Sequence, residues 1–175
     1  LEHLVTNLAR PGRPHPLNIA HNYETAGPTY PYGCHIAEVE IDPATCAVAL
    51  VRFTVVDDFG LVINPQMLSG QIHGGIAQGV GQALYEHVVY DDEGQILSGS
   101  FLDYAMPRAD HFPPLDIHMH NTPCKNNILG IKGSGEAGAI GAPQAVVSAV
   151  CDGLGIQHVD MPVTPLKIFN ILHQN

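Results

Sequence analysis

A chain of 175 residues is long enough to bury a core and falls in the usual range of one compact domain. Only 14% of the residues are charged, against roughly 25% in an average globular domain, and 45% are hydrophobic, so part of the surface is expected to lie against other protein. Lys and Arg number 7 against 17 Asp and Glu, a formal net charge of -10 with no basic cluster, which excludes nucleic acid as an expected partner.

Cys34, Cys46, Cys124 and Cys151 are widely spaced, with neither a C-x-x-C pair nor a zinc-finger spacing, so no metal cage or disulfide framework is expected. A reducing cytoplasm suits them. The longest apolar runs fall far short of the ~20 residues of a membrane helix, and the N-terminus lacks the layout of a signal peptide. The chain opens on Leu1 rather than Met, which suggests a fragment, a processed product or a trimmed chain.

Residues 1–31 are rich in proline (Pro11, Pro14, Pro16, Pro28, Pro31), which blocks helix continuation and predicts an extended arm lying on something else. Residues 32–175 form the remaining unit. Alternation begins there: Cys34, Ile36, Val39 and Ile41, then Val48, Leu50, Val51, Phe53, Val55 and Val56, separated by Asp42-Pro43-Ala44-Thr45, predict a long hairpin.

A helix is predicted from Pro65, a residue favoured at the first helical position, to about Glu86. Gly70, Gly74, Gly75, Gly79 and Gly81 each cost about 1 kcal/mol relative to alanine there, so some neighbour must require a close backbone. At 100° per residue, Gln71, Gly75, Gln78 and Gln82 share one stripe, and Ile72, Ile76, Val80, Ala83 and Leu84 the opposite face. His73 falls on the apolar side, where a packed core histidine is expected. No Asp, Glu, Lys or Arg occurs from Ser69 to Tyr85, unlike an ordinary solvated face. Uncharged amides suit a buried heteroaromatic ligand whose ring edges need hydrogen bonds.

Further strand-like pieces are 86–90 and 95–98, around Asp91-Asp92-Glu93-Gly94, and 115–120 after Pro113-Pro114. Together the elements predict an α+β fold in which antiparallel hairpins pack with two glycine-rich helices. His118 and His120 alternate on one strand face, but with no third ligand nearby no metal is assigned to them.

The second glycine-rich stretch, residues 130–143, is read as a loop feeding a helix that starts at Pro143, runs through Val146, Val147 and Val150 and stops near Gly153. Gly133, Gly135 and Gly138 satisfy the spacing of a dinucleotide fingerprint. Its context argues against one: Glu136 would place a negative charge where a pyrophosphate should sit, and no second parallel strand follows. Between Gly135 and Ala137, Glu136 would be poorly solvated, an environment that suits a general base. A glutamate capping the following helix is the competing reading.

Three stretches, residues 70–83, 103–109 and 132–143, resemble the large subunit of the molybdenum hydroxylases of the xanthine dehydrogenase and aldehyde oxidase family, most nearly the aerobic carbon monoxide dehydrogenase branch. The resemblance runs from about Tyr32 to Gly155, with Val55-Val56-Asp57-Asp58 and Ile63-Asn64-Pro65 in register. It implies the C-terminal portion of a molybdopterin-binding domain, the cofactor being molybdopterin with molybdenum, in its plain or cytosine dinucleotide form. In the family the glutamate of the Gly-x-Gly-Glu loop stands beside molybdenum and takes the proton from the oxygen that attacks the substrate; Glu136 matches it. Gln71 matches the glutamine that hydrogen-bonds the pterin, with Gln78, Ser134 and Gly135 as neighbours. Lys132 matches the lysine ahead of the loop, with no role carried over. Ser134 departs from the family's frequent valine, a change that could alter the pocket.

The substrate implied is an aldehyde, an N-heterocycle or carbon monoxide. With no iron-sulfur spacing or flavin signature in the chain, those clusters and FAD are expected in partner subunits. The remainder of the molybdenum subunit is a further expected partner, without which the chain should be inactive. The competing function is a non-catalytic scaffold or assembly module. Glu136 discriminates, because a brace gives no reason for a carboxylate beside a cofactor helix.

Overall fold

A computed structural model describes Thr6, Leu8, Pro11, His15 and residues 17–173. Much of the proline-rich arm therefore lies outside the described residues. Of its described residues, Thr6 and Leu8 are helical rather than extended, and 17–31 form no helix or strand. It is tied to a later loop where Asn126 Nδ2 donates to Pro28 O at 2.8 Å and Ala26 N donates to Asn126 O at 3.2 Å.

The predicted hairpin forms from β1 (Tyr32–Ile41) and β2 (Val48–Asp58), paired antiparallel. The Asp42 carboxylate sets its turn by accepting from Ala44 N at 2.8 Å and from the Thr45 hydroxyl at 2.7 Å. Glu38 pairs with Arg52 but Val39 with Leu50, so Val51 is an extra residue on β2, a bulge. The bulge accounts for Leu50, Phe53 and Val55 all being buried while Val51 is 51% exposed. On β1 the inward residues are His35, Ala37, Val39 and Ile41; Cys34 and Ile36, assigned to the same face by hydrophobicity, point outward.

β3 (Leu115–Met119) joins β2 in parallel, giving a three-stranded mixed sheet in the order β1-β2-β3. The segments 86–90 and 95–98 do not form a ladder. Only the bridge between Tyr90 and Ile96 forms, closed by the Asp91–Gly94 turn.

α1 (Pro65–Leu84) starts as the sequence requires: Asn64 is the N-cap and its side chain accepts from Met67 N at 3.1 Å. α2 (Ala137–Leu154) begins six residues before the predicted start at Pro143, which lies inside the helix. The Pro143 ring packs directly on α1, where Gly79 leaves room for it: a Cβ there would stand 2.8 Å from Pro143 Cδ. Gly155, at φ 65°, ends α2 in the left-handed conformation. A short 3-10 helix spans Ala109–His111, and α3 (Pro165–His173) is the last helix among the described residues.

α2 packs against both α1 and β1. Ile72, Ile76 and Val80 of α1, Val146 and Val150 of α2, Phe53 and Val55 of β2 and Ile168 of α3 are fully buried. Each such side chain contributes about 1.5–3 kcal/mol. By length and composition alone α2 could cross a membrane, but its Ala142, Val146 and Val150 face is buried within the fold.

Gly75 and Gly79 are the close approaches that the sequence demanded of α1. A Cβ on Gly75 would lie 2.8 Å from Gly138 Cα, so the two helices touch backbone to backbone. Gly75 is thus taken out of the glutamine stripe and buried. Gly70 and Gly74 have nothing within 4 Å. His73 is exposed rather than a core residue, its Nδ1 lying 2.7 Å from Ser69 O, because the buried stripe centres on Ile72 and Ile76.

Candidate active site

The end of β2, the start of α1 and the turn into α2 meet around residues 130–136. Backbone pairing fixes the first part of this loop: Lys132 N donates to Phe59 O at 2.9 Å and Leu61 N donates to Gly130 O at 2.9 Å. Gly60 must be glycine here, since it sits at φ 65° and a Cβ would strike the Gly130 carbonyl. Asn127 closes the other side, donating through Nδ2 to Ile131 O at 2.8 Å and accepting from Ile131 N at 3.1 Å.

Lys132 turns inward. Its Nζ lies 2.8 Å from Asp58 Oδ2, both side chains only 6% exposed, and 4.1 Å from the Tyr32 ring centroid. Asp58 Oδ1 accepts from Gly60 N at 2.8 Å and Thr122 N at 3.0 Å. Burial alone would raise the Asp58 carboxyl, but the Lys132 ammonium and the backbone N–H groups outweigh it and hold the carboxyl well below the usual range. Burial likewise opposes the Lys132 charge, and Asp58 outweighs it, so the ammonium is raised.

An aspartate whose folded value is depressed stabilises above the ~3.9 of the unfolded chain, and that contribution is lost as pH falls toward the folded value. The raised lysine contributes below ~10.4 and loses its share as pH rises through the folded value, so the pair stabilises across neutral pH. The stability difference between the parent and Asp58→Asn is expected to shrink as pH drops below about 4. Urea unfolding at a series of pH values measures it, and a difference that stays constant into acid would remove the ion pair from the account.

Gln71 reaches across from α1, its Nε2 donating to Gly135 O at 2.9 Å. The two constellations singled out in the sequence therefore touch. Gln71, Lys132 and Ser134 line one groove of about 290 Å³ with Asn64 and Met67. Gln78 is not in it. It lies with Gln82, Glu86 and Tyr104 along a separate groove of about 770 Å³, where the Tyr104 hydroxyl donates to Glu86 Oε2 at 2.6 Å.

Glu136 is the N-cap residue of α2: its backbone carbonyl accepts from Ala139 N at 2.9 Å and Ile140 N at 3.0 Å, while its side chain makes no capping hydrogen bond. The carboxylate is exposed in this chain, not enclosed as its glycine-rich neighbourhood suggests, because short neighbours leave it nothing to be buried under. The next turn is fixed tightly, a Cβ on Gly138 standing 2.5 Å from Ile72 O.

His35 and Asp57 are not foreseen by the sequence reading. His35 Nε2 lies 3.6 Å from Asp57 Oδ1, both side chains buried, and the imidazole packs edge-on to Phe53 with ring centroids 5.7 Å apart. A Cβ on Gly141 would stand 2.7 Å from the His35 ring, so this pair abuts α2 one turn beyond Glu136. The signal was two adjacent carboxylates ending a largely apolar strand, a pattern rarely left unpaired.

These features set a groove lined by Gln71, Lys132 and Ser134 beside the loop that leads into the exposed Glu136. Residues 6–113 match the family model described as the molybdopterin cofactor-binding domain. The chain belongs to that family, and its cofactor class is molybdopterin with molybdenum. It is 41% identical over 149 residues to the large subunit of nicotine 6-hydroxylase from Paenarthrobacter nicotinovorans, covering 83% of this chain and 18% of that protein. Identity to the carbon monoxide dehydrogenase large chain of Hydrogenophaga pseudoflava is 33% over 162 residues, 91% of this chain and 20% of the relative. The crystal structure of quinoline 2-oxidoreductase from Pseudomonas putida 86 superposes with a TM-score of 0.77 at 42% identity, over 82% of this chain and 19% of that one. The chain thus spans about a fifth of the length of the relatives it matches.

Proposed function

We propose that this chain supplies one wall of the active site of a molybdenum hydroxylase, with Glu136 as general base and Gln71 as a pterin ligand. The bond from Gln71 Nε2 to Gly135 O supports the reading, since it brings the side-chain amide of α1 to the residue next to Glu136. The donor set suits a pterin. Gln71 keeps its amide oxygen for a ring N–H, Ser134 offers a hydroxyl, and Gly135 a backbone edge. Beside Gln71, Gly70 and Gly74 expose bare backbone with nothing within 4 Å, room for a flat group or a neighbouring chain to approach closely.

When bound, the cofactor supplies the two-electron acceptor and the site at which oxygen from water is delivered. Glu136 holds the proton removed in that step at its carboxylate, and Gln71 fixes both the pterin edge and the loop that bears the base. The substrate is an aldehyde, an N-heterocycle or a similarly small molecule. Residues 32–175 act with the rest of the molybdenum subunit, and iron-sulfur and flavin subunits carry the electrons away in the cytoplasm. Exposed Ile63, Met67, Phe101, Leu102 and Ile128 are the apolar surface such neighbours would cover.

Molybdenum and pterin content, measured on the chain alone and on its assembled complex, tests the reading. Metal is expected only in the complex. Gln71→Ala is expected to lower pterin occupancy roughly fivefold at limiting cofactor, the loss of one hydrogen bond of about 1 kcal/mol. Molybdenum in neither preparation would leave the chain a brace for its neighbours.

A further inference from the structure

Lys132 and Asp58 form an ion pair whose charged ends are shut away from solvent, each side chain only 6% exposed. The chain between them is long, 74 positions in sequence, and what the contact joins is the end of β2 to the loop that leads into Glu136. Glu136 follows Lys132 by four positions, and the two residues before Glu136 are Ser134 and Gly135. Neither Gly133 nor Gly135 meets anything within 4 Å of a built Cβ, so the loop's own packing does not hold it. Beyond the backbone bonds that hold residues 130–132, its fixation comes from Lys132 on Asp58 behind, Gln71 on Gly135 O at the apex, and the Gly75–Gly138 contact ahead.

We infer that Asp58, acting through Lys132, is a positioning residue that sets where the Glu136 carboxylate stands relative to the cofactor wall. The inference rests on Glu136 being the base. Asp58 is itself immobilised by three partners, the Lys132 ammonium and the N–H groups of Gly60 and Thr122, so it serves as a fixed post rather than a flexible counter-ion. Tyr32, whose ring lies under the ammonium, narrows the directions from which Lys132 can approach. The adjacent carboxylate, Asp57, meets His35, whose ring packs against Gly141 of α2.

Removing one member of a buried ion pair strands the other charge and endangers the fold, whereas removing both charges together does not. The test is therefore the double variant Asp58→Asn/Lys132→Met in the assembled holoenzyme. The introduced amide oxygen can still accept from Gly60 and Thr122, and the introduced thioether chain is uncharged and close in length to the lysine stem. Molybdenum content and KM are expected to stay at parent values while kcat falls about a hundredfold, the scale set by misplacing a reacting group by about 1 Å. Hydrogen exchange should report lost protection of the amides from Gly133 to Glu136. Lys132→Arg, which keeps the charge, should retain most of the turnover.

Parent kcat and parent loop protection in the double variant would overturn the inference. Loss of molybdenum together with turnover would also overturn it, making the pair a general element of the fold. Glu136→Gln, run alongside, separates the two ideas: a fully active Glu136→Gln removes the base assignment itself, whereas an inactive one beside a fully active double variant removes only the positioning role.

Discussion

Glu136→Gln in the assembled enzyme is expected to lower kcat by roughly 10²- to 10⁴-fold, with molybdenum content and KM little changed. The amide is isosteric with the carboxylate, so the loop has no steric reason to move. The fold does not need the charge either: the α2 cap is made by the backbone carbonyl of Glu136, which accepts from Ala139 and Ile140, and not by its side chain. What the substitution removes is the ability to take a proton. Steady-state kinetics paired with metal analysis measure the effect. Turnover close to the parent's would sink the base assignment and return the chain to a scaffolding role.

The second large effect is expected from Gly138→Ala. A Cβ there would stand 2.5 Å from Ile72 O and 2.9 Å from Ile76 N, both backbone atoms of α1 that cannot rotate away. The helices must separate, at a cost of about 1–3 kcal/mol for forcing volume into a packed contact. Because Ile72 and Ile76 are fully buried, the separation opens the core as well as the crossing. Gly74→Ala on the same helix is the control: with nothing within 4 Å, it should be neutral or stabilise by up to about 1 kcal/mol through helix propensity. Denaturant unfolding of the two variants checks the contrast, and equal stabilities would mean that the helices do not cross at glycine.

The elements were legible wherever one local rule acted alone. The hairpin followed from alternation around an Asp-Pro turn, and the start of α1 from Asn64-Pro65. The start of α2 differs because proline marks a first helical turn by local rule, whereas Pro143 lies inside the helix with its ring packed on Gly79 of α1, a contact no local pattern reveals. The inner face of β1 was misassigned because hydrophobicity marks Ile36 while the sheet buries His35, whose reason is Asp57 across the hairpin. The convergence of Gln71 with the Glu136 loop was foreseen only as what the family resemblance implies. The Asp58–Lys132 pair could not be foreseen, since partners 74 positions apart leave no periodic signal.

The proposed base caps a helix, and that makes α2 a lever. A helix is stiff along its axis and rises 1.5 Å per residue, so the 18 residues of α2 carry a rod about 27 Å long with the carboxylate at one tip. Substitutions at Val146 or Val150, deep in the core and well along the helix from Glu136, would tilt or slide that rod and move its tip. In such a protein, stability mutants in the middle of the core should register as changes in turnover before they register as unfolding.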